Sequence, residues 1–314
     1  MRRRTRPSPA LRVAVRAGAA ATVAAAVAVP LVRRRYRIPA PVTIAACAGG
    51  PLALAVLRPR SKKRDVALFA MQMWAFTMVH ELPYDDPERL RARLRARYPI
   101  TIDRALGAGR LPGVRLQRAL VRLPRVRAID RFLTWVHWLW FLEPYLALLF
   151  ILVRRNERFP RAARQLAAVF DLGCAIYFLA PTAPPWWSSQ EGLTGEEVRR
   201  IMVEVGEDTW GSAWPRMYDT LGGNPWAAMP SLHFATAVMA AIALAEAGKV
   251  EGAVGWGYAL TLGFSLVYLG EHYVTDLVAG AALVAVVRRG EPLAEPLVLG
   301  VNRGLRRLER LASG

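Results

Sequence analysis

The stretch NPWAAMPSLHFATAVMAAIALA, residues 224–245, decides how this chain is to be read. Its second half is an alanine-, valine- and isoleucine-rich run suited to hydrocarbon. Its first half carries Pro225, Pro230, Ser231 and His233, a cluster that membrane helices exclude unless something satisfies it, because polar groups in lipid are expensive. Irregular backbone at that depth is tolerated only where protein buries it or it lines a cavity. The stretch therefore reads as a membrane segment with a polar site built at its head.

Working outward, further apolar runs are long enough, or nearly so, to cross a bilayer. They are 17–32, 38–57, 66–79, 132–153, 166–187, 253–270 and 273–287, which with 225–245 give six to eight spans. The fold expected is all-α: a polytopic membrane bundle of about six core helices, with two extra N-terminal spans and amphipathic helices on its surface. Boundaries follow from composition. Residues 1–65 form a basic, apolar anchor region of one or two spans, and 66–131 a span plus basic interfacial helices. Residues 132–290 form the core, and 291–314 a basic amphipathic tail.

The 314 residues are 54% hydrophobic and carry a net charge of +19. In a soluble protein that charge would point to nucleic acid. Here the arginines arrive as short blocks between apolar runs, which is the pattern of membrane helices with basic flanks and excludes a nucleic-acid partner. Cys47 and Cys174 lie in apolar runs without zinc spacing and read as small buried hydrophobes. The basic start and the first apolar run have the layout of a signal peptide, but Pro30 and RRRYR follow where a cleavage site would stand, so an uncleaved anchor is expected.

Basic blocks at 58–64, 154–164 and 288–289 are mutually consistent on the cytoplasmic face. That choice puts residues 188–224 and the turn at 270–272 on the other side, in an integral, multi-pass protein of the cell membrane with its site facing out. It also puts 85–131 there, although RLRARLRARYP is strongly basic. Helical spacing of its leucines and valines suits amphipathic helices lying on a surface, and a basic solvated linker is the alternative reading.

Chemistry concentrates at span ends. In LGEHYVTDLVAG, His272 and Asp276 are four apart and share one face of a helix. A carboxylate on one ring nitrogen fixes the tautomer and raises the basicity of the other, as a nucleophile or base requires. A structural pair at a helix start would look the same. In MPSLHF, Pro230 presets a first helical turn, so Ser231 and His233 sit where free N–H groups and the positive end of the dipole suit an anion. The third element, PTAPPWWSSQ, stiffens a span exit with Pro184 and Pro185 and offers Trp186 and Trp187 as interface anchors. His137 and Glu143 are polar residues within a span, candidates for a function or for a helix–helix hydrogen bond.

PSLH followed by Ser265-Leu266 and then His272 and Asp276 resembles the second and third signatures of the type 2 phosphatidic acid phosphatase superfamily. PTAPPWW, NPWAAMPSLHF and EHYVTDLVAG resemble its inositol phosphorylceramide synthase-like branch. The resemblance covers roughly residues 130–290. It implies a lipid-phosphate phosphatase or phosphotransferase. His272 would attack phosphorus to form a phosphohistidine, Asp276 would orient it, and His233 would protonate the leaving oxygen and then activate the acceptor. Ser231 and nearby amides would hold the phosphoryl oxygens. The first signature's lysine and arginine are replaced by Pro184-Pro185-Trp186, and the third signature's arginine is Leu266. Arg216 in WPRMYD is then a candidate for the missing positive charge. The partners implied are a phospholipid or lipid phosphate and the surrounding membrane lipids. No cofactor and no metal is called for; the acceptor, the lipid and the oligomeric state stay open, as does a non-catalytic lipid-binding or transport role.

Overall fold

The structure, a computed structural model, describes residues 8–120, 126–216 and 224–313. Among these no strand forms; the regular structure is helical, with isolated bridges at Arg95–Thr182 and Thr182–Ala227. The chain divides into two compact units, Met1–Asp85 with Arg289–Gly314, and Asp86–Arg288.

The first unit is built on α1 (Pro9–Val32), α2 (Ala40–Leu57) and α3 (Lys62–His80). Ser8 Oγ accepts the Leu11 N–H at 3.2 Å and Pro9 opens the helix, so α1 starts upstream of the apolar run expected at 17–32. Arginine stems in its first turns can lie along apolar surface with their charges in the headgroup layer. α1 packs on α2 and α2 on α3, and the Trp74 indole donates to the Ala26 carbonyl at 3.0 Å. Buried cations are paired: Arg33 with Asp85 at 2.8 Å, and Arg64 with Glu309 at 2.5 Å.

The second unit begins with α4 (Pro87–Ala92), α5 (Arg97–Leu106) and α6 (Pro112–Leu120). These are the amphipathic helices expected in 85–131, and their apolar faces close on protein. Ile100, Leu111 and Val114 form one buried cluster with Val198 and Tyr273. The core follows as α7 (Ala128–Leu139), α8 (Glu143–Arg154), α9 (Phe159–Leu179), α10 (Pro185–Gln190) and α11 (Ile201–Trp210). It ends with α12 (Leu232–Ala247), α13 (Lys249–Tyr268) and the first part of α14 (Val274–Ser313), whose residues from Arg289 on belong to the first unit.

α12 is the centre of this unit, packed by α8, α9 and α13. Ala235, Ala237 and Ala241 are fully buried, and their small side chains let neighbouring backbones approach, as in lipid, where close packing drives association. The run expected as one span over 225–245 is helical only from Leu232, because two prolines hold residues 224–231 out of helix geometry.

By length and composition α1, α2, α9 and α13 can cross a membrane, and α7 with α8 makes a fifth span bent by 53°. The six to eight spans expected also counted α3, α12 and the first half of α14, which are shorter or carry charge. Outward faces support the membrane reading: Leu179, Val254 and Leu260 are 78%, 66% and 62% exposed. Large apolar side chains so exposed, on helices of this length, are lipid-facing.

The two ends of α12 differ in charge. At its C-terminus Arg155 donates to the Ala247 carbonyl at 3.4 Å, Arg158 donates to the Glu246 carbonyl, and Arg288 pairs with the Glu246 carboxylate at 2.8 Å. Two of the basic blocks placed on one face thus meet at one helix end, where cations also suit the dipole. At the other end lie Ser231 and His233, about 24 Å away at 1.5 Å per residue.

Candidate active site

Three irregular segments converge at the N-terminal end of α12, held by backbone hydrogen bonds. Thr182 N–H donates to the Trp226 carbonyl at 3.0 Å and Ala228 N–H to the Thr182 carbonyl at 3.1 Å, lacing PTAPP to NPWAA. Trp186 N–H donates to the Gly270 carbonyl at 3.2 Å, tying in the segment before α14. Gly270 has φ +81°, and a Cβ there would lie 2.5 Å from the Arg199 carbonyl oxygen, so no side chain fits this turn. Tyr177 donates to the Pro230 carbonyl at 2.6 Å.

Ser231 caps α12. Its Oγ accepts the Phe234 N–H at 3.3 Å, and its own N–H donates to the Asp276 carbonyl at 3.0 Å. Pro230 therefore precedes the cap instead of forming the first helical turn, since the Ser231 oxygen, not the proline ring, satisfies the turn's orphan donor. The first-turn N–H groups of Leu232 and His233 remain oriented out of the helix start. Ser231 is fully buried, and its hydroxyl hydrogen is what it has left to donate.

His272 lies on the turn just before α14, not on the helix itself as a four-residue spacing suggests. Its N–H donates to the Leu266 carbonyl at 3.1 Å. Asp276 Oδ2, in the first turn of α14, accepts the Tyr273 N–H at 2.9 Å and lies 3.1 Å from His272 Nδ1. The pairing is made by a carboxylate reaching back over a helix start. His272 Nε2 lies 3.2 Å from His233 Nδ1, completing a chain from Asp276 through His272 to His233. Asp276 is 0% and His272 5% exposed, so their pair lies in a dry setting where hydrogen bonds are electrostatically strong, while His233 at its outer end is half-buried. The Trp140 ring packs 4.2 Å from that of His233, and its indole N–H donates to Thr236 at 2.8 Å. His137 follows at 5.0 Å from the His233 ring.

Arg216 stays exposed. The arginine at the site is Arg200, whose guanidinium pairs with Glu271, next to His272, at 2.9 Å and stacks 3.8 Å above the Trp186 ring. Sequence reading missed it because its partners lie 14 residues before and 71 after it. Leu266, where the resemblance places an arginine, is fully buried, and Ser265 donates to the Leu133 carbonyl at 2.7 Å as a helix–helix contact. Pro184 and Pro185 are buried, and Trp186 serves Arg200 as well as the interface.

Two buried polar residues from the amphipathic region hold this site from behind, and no motif marks them. Asp103 accepts the Val274 and Thr275 N–H groups at 2.9 Å each, capping the helix that carries Asp276. Gln117 donates to the carbonyls of Arg199 at 2.8 Å and Tyr268 at 2.9 Å and accepts the Arg199 N–H at 3.0 Å. The signal available for both was a polar residue interrupting an apolar stripe.

No curated protein and no solved structure matches the chain. Residues 104–288, more than half of it, match the PAP2 superfamily, and they contain the histidine pair, Asp276, Ser231 and the arginine on Trp186. This membrane protein belongs to the PAP2 superfamily, that of the type 2 phosphatidic acid phosphatases.

Proposed function

We propose that the protein is a lipid-phosphate phosphatase or phosphotransferase that works through a phosphohistidine on His272 at the outer face of the cell membrane. The observation that carries this reading is the chain Asp276–His272–His233, buried at Asp276 and His272 and half-buried at His233, with ring nitrogens 3.2 Å apart. Asp276 holds the Nδ1 side of His272, which leaves Nε2 as the nucleophile. The substrate phosphorus displaces the His233 ring from its contact with Nε2 and is attacked there: the N–P bond forms, the P–O bond to the leaving group breaks, and His233 supplies the proton to the departing oxygen. In the second half His233 takes a proton from the acceptor, whose oxygen attacks phosphorus as the P–N bond breaks. Water as acceptor gives hydrolysis and an alcohol gives transfer. The chain's resemblance at Pro184-Pro185-Trp186 favours transfer of a phospho-headgroup to a lipid alcohol as the second reading.

Phosphoryl charge meets the α12 helix start, the Ser231 hydroxyl and Arg200. Glu271 holds that guanidinium ready, and a phosphate can exchange for one arm of the pair. The outward face is supported by the arginine cluster at the opposite end of α12, since basic ends stay cytoplasmic.

The test is turnover of labelled phosphatidate, isoprenoid diphosphate and phosphatidylinositol by the purified full chain, with and without alcohol acceptors, products separated by thin-layer chromatography. Phosphate release marks hydrolysis, and label on a second lipid marks transfer. His272→Ala and Asp276→Asn should each slow turnover by about 10²–10⁴-fold, the range of a positioned acid–base group. Unchanged turnover in both variants would overturn the mechanism.

A further inference from the structure

Beside the reacting pair lies a group that the mechanism above leaves unused. His137 is 5% exposed, and neither of its ring nitrogens has a hydrogen-bond partner among the described residues. Thr134, three residues earlier on the same face of α7, is fully buried with its hydroxyl also unpartnered. Unpaired buried polar atoms are costly relative to satisfied ones, so this is an expensive strip to keep in the middle of a bundle.

The strip also ends at a break. After His137 the chain turns by successive i→i−3 bonds, Trp140 to His137 at 3.1 Å, Phe141 to Trp138 at 3.2 Å and Leu142 to Leu139 at 2.9 Å. α8 then leaves at 53° to α7. Tyr258 satisfies the Val136 carbonyl near the break at 3.1 Å. Broken helices in membranes are found where they line a binding site. This break points His137 and Trp140 at His233, with ring separations of 5.0 and 4.2 Å.

The chemistry of the unpartnered atoms selects the ligand. A neutral imidazole offers one donor and one acceptor, and a threonine hydroxyl offers both. A phosphoryl oxygen only accepts and would leave the imidazole acceptor unpaired. A hydroxyl satisfies both roles. His137 packs on His233, the residue that exchanges a proton with the leaving or incoming oxygen, and Asp276 lies on the far side of His272.

We infer that His137 and Thr134 form a subsite for the hydroxyl groups of a polyhydroxylated alcohol substrate, adjacent to the oxygen that His233 protonates or deprotonates. This rests on the phosphohistidine reading and specifies its alcohol. The subsite favours an alcohol with a second hydroxyl near the reacting one over a simple alcohol and over water.

The experiment uses the purified full chain with ³²P-labelled phosphatidate, isoprenoid diphosphate and phosphatidylinositol as donors, and 1-octanol or 1,2-octanediol as acceptors. Wild-type protein should favour the diol. His137→Phe keeps the ring's shape and removes both nitrogens, so diol transfer relative to hydrolysis should fall about tenfold, the loss of roughly one hydrogen bond. With phosphatidate and isoprenoid diphosphate, which bring no second hydroxyl to the subsite, hydrolysis and labelling of His272 should fall less than diol transfer does, and Tm should hold or rise because unpaired polar atoms are gone. His137→Gln, which keeps a donor and an acceptor, should restore part of the diol preference. A defect seen only with the phosphatidylinositol donor would assign the hydroxyls to the donor's headgroup instead of the acceptor. An unchanged diol-to-octanol ratio in His137→Phe, no diol preference in the wild type, or a fallen Tm with all rates reduced in parallel would overturn the subsite while leaving the phosphohistidine reading intact. Absence of labelled wild-type protein with every donor would overturn both.

Discussion

Single residues carry the site, and Arg200 is the one whose role depends most on its surroundings. Its ion pair with Glu271 is 19% exposed on the arginine side and 11% on the glutamate side, and the Trp186 ring covers it. A planar, delocalised cation suits that stacked, bidentate position, and a lysine would fill neither role. Arg200→Ala should lower kcat/KM by about 10²–10³-fold, the loss seen when one preorganised donor at a developing negative charge is removed. Arg200→Lys should recover only part of it, and Arg216→Ala should change kcat/KM by less than about twofold. Steady-state kinetics on the donor that labels His272 read all three. His233, His272, Asp276 and Ser231 were picked out in the sequence by their short motifs and the resemblance those motifs carry, while the local geometry that spacing suggested, His272 on the helix and Pro230 in the first turn, differs in the structure. Arg200, Asp103 and Gln117 were not, because each acts on atoms tens of residues away.

Elements position these residues by how closely their backbones approach. α14 lies against the start of α12 at Gly280, where an added Cβ would sit 2.7 Å from the Ser231 carbonyl oxygen. That approach lets the Ser231 N–H reach the Asp276 carbonyl, so the two motifs share one hydrogen bond. Gly280→Ala should therefore cost about 1–3 kcal/mol by overpacking and reduce turnover by shifting Asp276. Gly290→Ala, further along the same helix and with nothing within 4 Å of the added atom, should be neutral or stabilising by up to about 1 kcal/mol. Thermal melting in detergent, paired with the turnover assay, separates the two. Most of the long helices were anticipated from apolar runs. Breaks at residues 140–142 and 224–231 could not be placed by hydropathy, which is nearly blind to a run that stays apolar while its backbone leaves the helix.

Across the whole molecule, charge and apolar surface are sorted by environment. Arginines near the site end are matched by carboxylates of the 191–208 segment: Arg91 with Glu191 at 2.8 Å, Arg131 with Asp208 at 2.7 Å, and Arg118 with Glu196 at 3.5 Å. This pairing offsets much of the positive charge that the basic 85–131 segment brings to the site end. Between the ends, large outward side chains such as Leu179, Val254 and Leu260 are apolar, with Asp171 on α9 an exposed exception. Leu260→Arg, at the middle of α13 and 62% exposed, should oppose insertion by about 2.5–3.5 kcal/mol. The measurement is the fraction of protein recovered in membranes, against Arg303→Ala in the C-terminal part of α14 as a control expected to leave it unchanged.

The sequence by itself determined an all-helical membrane protein, its family, and the two motifs that supply the histidines, because apolar length, local capping and short spacings are properties of contiguous residues. Tertiary structure decided that Ser231 is a buried cap tied to Asp276, that His272 precedes its helix, that Arg200 is paired with Glu271 and stacked on Trp186 beside His272, and that His137 turns toward His233. Each of these depends on which backbones approach within hydrogen-bonding distance, and that is fixed by packing among segments far apart in the chain.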